Sequence, residues 1–175
     1  MSQLDEERMP VLIGCGQLTD RSGAEEGAGP IALMADAARR AAADTGLGEV
    51  MLAEIDTVVA VGLVVDEPNS GSNMAGALRD VPLSVTRHLE IDPRRRYYTD
   101  TGGNTPQRMV NLFAEKISRG EAGTVLITGA EALDTMIRRL KAGLDLDAFQ
   151  EDTGTDPDCR SEEHTSELQS PDHLV

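Results

Sequence analysis

Aromatic side chains are scarce in this chain of 175 residues, which holds two Tyr, two Phe and no Trp. A core must therefore rest on Ala, Val, Leu, Ile and Met. Cysteine is limited to Cys15 and Cys159, and their spacing describes neither a disulfide framework nor a zinc site. No metal centre is expected, and a reducing cytoplasm fits best. Basic charge is short as well, with 16 Lys and Arg against 31 Asp and Glu, a net charge of −15. Such a surface repels a phosphate backbone, so nucleic acid is excluded as a partner. No segment reaches membrane-spanning length, and the acidic residues 1–8 lack the basic flank and apolar run of a signal or transit peptide.

The composition changes abruptly after Cys159. Residues 160–170 read RSEEHTSELQS, which resembles, residue for residue, the in-frame translation of a common short-read sequencing adapter, and His173-Leu174-Val175 fits the constant bases beyond its index. Residues 160–175 are accordingly expected to be a cloning or assembly artefact, preceded by a truncated acidic linker over 145–159 and a partial domain over 1–144. Without Arg160, Glu162, Glu163, Glu167 and Asp172 the chain keeps 15 basic and 27 acidic residues, a net charge of −12. His88 is then the only histidine, which leaves little material for a Ser-His-Asp arrangement. At the end of an amphipathic stretch it reads as a surface or packing residue.

Apolar runs and periodicity predict alternating strands and helices. Residues 10–17, bounded by Gly14 and Gly16, read as a buried strand with Cys15 in the core, and 20–29 as a surface loop. Pro30 opens a helix to residue 45 on the stripe Ile31, Met34, Ala35, Ala38, Ala41 and Ala42, with Gly46 as its stop. A short helix over 48–53 precedes a strand within 55–65, whose unbroken apolar run over Val58–Val61 suggests a parallel strand covered on both faces. Residues 73–89 read as helix disturbed by Pro82. Tyr97-Tyr98-Thr99 reads as strand, with Arg94–Arg96 as its solvated approach. A helix from Thr105, as N-cap, and Pro106 buries Met109, Val110, Phe113, Ala114 and Ile117 and ends at Gly120. A strand over 124–128 and a helix over 133–144 follow. The fold class is α/β.

The stretch richest in chemistry is Thr101-Gly102-Gly103-Asn104-Thr105-Pro106-Gln107, between a strand and a helix. Two glycines there would let the chain bend and approach a ligand closely, and the helix start offers N–H groups to an anion or a carbonyl oxygen. Gly102, Gly103, Asn104 and Thr105 are the candidate substrate-binding residues. No catalytic residue is assigned, because Thr101 and Thr105 are hydroxyls without an evident base. Gly14-Cys15-Gly16 after an apolar run suggests an alternative, a Rossmann-type nucleotide site, against which stand the dozen or so loop residues before Pro30.

Several segments together carry a family resemblance: Pro10–Gln17, the Ala-rich first helix, Ala53–Val58, Gly102–Gln107, and Gly120-Glu121-Ala122 through Gly129-Ala130-Glu131-Ala132-Leu133. Residues 10–144 resemble the N-terminal half of a thiolase, closest to the sterol-carrier-type and acetyl-CoA acetyltransferase-like branches. The resemblance implies half of a five-layer αβαβα architecture, a mixed sheet with helices on both faces, and a full-length parent that forms a homodimer. It implies an acyltransferase acting on acyl-CoA, with the CoA thioester as substrate and no cofactor. In that family a cysteine at the strand-to-helix turn attacks the thioester, and the matching position here is Gly102. A non-catalytic relative that binds acyl-CoA or another acyl carrier is the companion reading. Half of such a fold is expected to leave apolar faces of the strands within 55–65 and 124–128 uncovered.

Overall fold

The computed structural model describes residues 8–66, 78, 80–149 and 158–160. Its helices are α1 (Pro30–Asp44), α2 (Glu49–Ala53), α3 (Val81–Leu89), α4 (Thr105–Ser118) and α5 (Leu133–Ala142), and its strands are β1 (Thr57–Ala60), β2 (Arg95–Tyr98), β3 (Val125–Thr128) and β4 (Cys159–Arg160). The strands form one sheet in the order β3-β1-β2-β4, and every described pairing is parallel. The α/β class and the helices on both faces stand as expected.

β1 is central, and all four of its residues are buried. Alternation sends Val58 and Ala60 to one face, where they join Ile31, Met34 and Ala35 of α1 and Val81 and Val85 of α3. Val59 points to the other face, into a smaller cluster with Tyr97, Met109 and Phe113. There Tyr97 and Phe113 meet edge-on, with ring centroids 5.2 Å apart. Of the two strands expected to lack cover, β1 is fully enclosed, whereas Val125, Leu126 and Ile127 of β3 are half-buried.

Two readings are corrected. Residues 10–17 form no strand, and Val11, Leu12 and Ile13 are 69%, 88% and 51% exposed. An apolar run becomes a buried strand only beside a pairing partner, and no described strand lies alongside it. Its glycines serve a different contact. A Cβ on Gly14 would stand 2.3 Å from the Ala41 carbonyl oxygen and one on Gly16 2.2 Å from that of Ala37, so this segment lies directly on the flank of α1. Cys15, expected in the core, is exposed, its N–H donating to Asp44 Oδ2 at 2.9 Å.

The second correction concerns α3. Pro82 lies in the first turn of the helix, where its missing N–H is no loss, and so helps to start it. Asp80, wholly buried, caps that turn by accepting the Leu83 N–H at 2.9 Å. The earlier part of the helix predicted over 73–89 falls mostly outside the described residues. Arg94 and Arg95 are exposed as anticipated, but Arg96 is drawn inward to Asp80 at 3.8 Å and Asp158 at 3.7 Å.

The loop over 20–29 is tied down at two points. The Arg139 guanidinium of α5 donates to the carbonyl oxygens of Ala24, Glu25 and Asp145, fastening the loop to the far side of that helix. Asp20 accepts the N–H groups of Ser22 and Ala28, both at 2.8 Å. Its pKa is lowered to about 2, first by the Ser22 hydroxyl, then by the N–H groups of Ala28 and Ser22, with a contribution from the Arg138 charge. A carboxyl whose folded pKa lies below its unfolded value holds the fold above the unfolded value and lets go as pH falls through the folded one. Hydrogen exchange should therefore find the Ser22 and Ala28 amides still protected near pH 4, where an ordinary aspartate is about half protonated, and released as pH approaches about 2.

Beyond α5 the chain turns at Asp147–Phe149, and Phe149 is packed among Leu33, Ala132, Met136 and Leu146. Cys159 and Arg160 pair with Tyr97 and Tyr98 of β2. Among the described residues no helix is long and apolar enough to cross a membrane.

Candidate functional site

In a parallel sheet the strands deliver their C-terminal ends to one edge, and ligands of open α/β folds gather there. Here those ends are laced together. The Val61 N–H donates to the Thr128 carbonyl at 2.9 Å, the Gly62 N–H to Thr99 Oγ1 at 3.1 Å, and Thr101 Oγ1 to the Leu63 carbonyl at 3.2 Å. The Leu63 N–H reaches Tyr98 Oη, which in turn donates to Asp66 Oδ2 at 3.0 Å. Around these crossings lies an open cavity of about 530 Å³, walled by the exits of β1, β2 and β3 and the start of α4.

Gly102 and Gly103 both line this cavity, so the turn singled out in the sequence does face a cleft. Asn104 and Thr105 are not among its lining residues. Asn104 is exposed and stands at the N-cap position, one residue earlier than predicted, without a side-chain capping bond. Thr105 is the first helical residue and is buried, its N–H donating to the Gly102 carbonyl at 3.1 Å.

The reason for the glycines also differs from the one anticipated. Neither Gly102 nor Gly103 adopts the left-handed conformation that would require glycine. A Cβ on Gly103 would meet nothing within 4 Å, and one on Gly102 would meet Thr105 Oγ1 at 2.9 Å and Asn104 Oδ1 at 3.3 Å, both on side chains. The backbone thus admits a side chain at either position. The lining glycine that admits none is Gly62, where a Cβ would strike the backbone of Thr99 and Asp100 at 2.4 and 2.7 Å.

Sequence reasoning gave no role to Glu131, which lines the same cavity from the β3 side. Its Oε1 accepts the Val64 N–H at 2.8 Å. Desolvation holds its carboxyl above the ordinary glutamate range, a shift that the Val64 N–H opposes. The signal in the sequence was present but mute: a Gly-Ala-Glu following a strand announces a turn, not which way its carboxylate faces. His88 is exposed and lines none of the described cavities. Gly14-Cys15-Gly16 heads no helix, since it lies against residues 37–41 of α1, far along from Pro30. That placement removes the helix N-terminus a dinucleotide site needs. Among the described residues no three metal-ligating side chains cluster.

No family model and no curated protein matches the chain. A solved structure does match: the crystal structure of a monomeric SCP2-thiolase like protein type 1 from Mycobacterium smegmatis, at 30% sequence identity and a TM-score of 0.56. The fold is thiolase-like. The match covers 70% of this chain and 23% of that one, so the chain spans about a quarter of the neighbour's length. In this thiolase-like fold the three strand exits and the start of α4 form a single walled cleft, with the glycine turn on one flank of the β1 exit and Glu131 on the other.

Proposed function

We propose that the cavity beside Gly102 binds the acyl-thioester end of an acyl-CoA or another acyl carrier without forming a covalent intermediate. The observation that carries this reading is the glycine turn itself: it lines a cavity of about 530 Å³, and its backbone would accept a side chain, yet it bears none. Pro106 brings the positive end of the α4 dipole to the cavity wall, a field that favours the oxygen of a polarised thioester carbonyl and does not depend on a thiol. The apolar walls of Val61, Val64, Pro106 and Ile127 suit an acyl chain.

Acyl transfer of the acetyl-CoA acetyltransferase type is the companion reading, prompted by the thiolase-like fold. It needs a nucleophile, and in this turn the matching position holds Gly102. The homodimer implied for a longer parent has no support from the neighbour, which is described as monomeric.

Titration of the chain with butyryl-CoA, followed by calorimetry and by intact mass, separates these readings. Saturable binding with no mass gain and no free CoA thiol is expected. A stable acyl adduct on the chain would establish the transferase instead, and an absence of any binding would remove the acyl-thioester assignment.

A further inference from the structure

The apolar run that the sequence places in the core stands on the surface, and it is held there. Gly14 and Gly16 lie against the backbone of α1, the Cys15 N–H donates to Asp44 Oδ2 at 2.9 Å, and Arg40 Nη1 donates to the Gln17 carbonyl at 3.3 Å. Just before this anchored stretch come Val11, Leu12 and Ile13, all exposed, with Leu12 the most so at 88%. From Met9 to Thr19 the chain carries no charge, in a protein where 27% of residues are charged.

Beside the run lies a shallow groove of about 60 Å³, lined by Ile13, Gly14, alanines of α1 and residues 124–126 at the start of β3. No residue lining it bears a charge. Among the described residues β3 pairs with β1 alone, so its outer edge is open on this side.

We propose that this face is an interface between two copies of the chain, in which Leu12 of each copy enters the groove of the other about a two-fold axis. A two-fold contact presses the same patch of both copies together, so the patch must carry a projection and its matching recess side by side. Leu12 and the groove at Ile13 and Gly14 are such a pair. The match extends to charge: an uncharged recess disfavours any segment that would have to desolvate a charge to enter it, and the segment next to it is uncharged throughout. Two copies at a net charge of −15 repel each other, so the contact is apolar attraction set against long-range repulsion and tightens as salt screens that repulsion. The groove shares no lining residue with the cavity beside Gly102, and the pairing stands independently of the acyl-thioester reading.

Sedimentation equilibrium of the chain tests this. The mass of wild type is expected to rise with concentration from one copy toward two, and the association to strengthen as salt is raised from about 0.02 M to about 0.5 M. Leu12→Glu, at an exposed position, and Thr124→Lys, in the groove, should each weaken self-association by about tenfold or more. Mixed together, the two variants should associate again, because one of the two contacts is then unaltered and the other sets the introduced glutamate against the introduced lysine. That recovery cannot come from damaged folding of either variant. Wild type that stays a single copy throughout, a mass that grows past two copies, a dimer that both substitutions leave intact, or variants that fail to associate on mixing would each overturn the pairing.

Discussion

Replacing Gly62 with alanine is expected to destabilise the chain by about 3 kcal/mol, at the upper end of what an overpacked site costs. The added Cβ would stand 2.4 Å from the Thr99 carbonyl oxygen, 2.7 Å from the Asp100 carbonyl carbon and 2.8 Å from the Thr101 nitrogen. All three are backbone atoms, so no side chain can swing aside. The chain leaving β1 must instead part from the chain leaving β2, and the Gly62 N–H bond to Thr99 Oγ1 stretches with it. The midpoint of thermal unfolding should fall by roughly 6–12 °C for a chain of this size. Gly103→Ala is the matched comparison. Its Cβ meets nothing within 4 Å, and its midpoint should stay within the narrow range of an unstrained surface change, about 0.5 kcal/mol. Equal behaviour of the two variants would mean that the strand exits are not held together as described. Because Val61, Gly62 and Thr101 wall the cavity, Gly62→Ala should also weaken acyl-CoA binding.

Where one residue's chemistry decides a feature locally, that feature was legible in the sequence. The Ala-rich stripe behind Pro30 marked α1 to within a residue, the unbroken Val-Val-Ala marked a strand covered on both faces, and Gly120, with φ at +73°, ends α4 where it was expected to. Legibility failed where a distant partner decides. Residues 10–17 have a strand's composition, yet burial requires a neighbour to pair with, and their glycines answer to the carbonyl oxygens of Ala37 and Ala41 instead. Pro82 looked like a disturbance inside a helix because the place where α3 begins is set by the buried Asp80 cap on Leu83.

The candidate site divides in the same way. Gly102 and Gly103 drew attention by type and position, and they do line a cavity. Their conformation was invisible, because glycine permits left-handed backbone without demanding it. Glu131 was one of many acidic residues in a chain whose acids outnumber its bases almost two to one. Only the parallel register, which puts Thr57 of β1 opposite both Arg95 and Val125, places the two flanking exits beside the same stretch of β1.

Gly102→Cys, in a background where Cys15 and Cys159 are serine, is expected to convert a binding turn into a reactive one. The new Cβ would stand 2.9 Å from Thr105 Oγ1 and 3.3 Å from Asn104 Oδ1 and clear of backbone other than its neighbours', so a shift of the buried Thr105 side chain and of Asn104 admits it at a cost of about 1 kcal/mol. The thiol would stand beside the start of α4, where the partial positive charge of the helix favours a thiolate. Its alkylation by iodoacetamide should titrate with a midpoint near pH 7, against about 8.5 for an ordinary cysteine. Given butyryl-CoA, the thiolate attacks the thioester carbonyl carbon, the bond from that carbon to the CoA sulfur breaks, and CoA leaves as a thiolate that takes a proton from water. One free CoA thiol per chain should appear together with a butyryl mass gain on the protein. Gly103→Cys supplies the control, since its side chain would sit in open space one residue on and should show neither the lowered midpoint nor the adduct. If both cysteines instead behave as ordinary exposed thiols, the turn does not hold a thioester carbonyl against α4, and the proposed site loses the contact on which it depends.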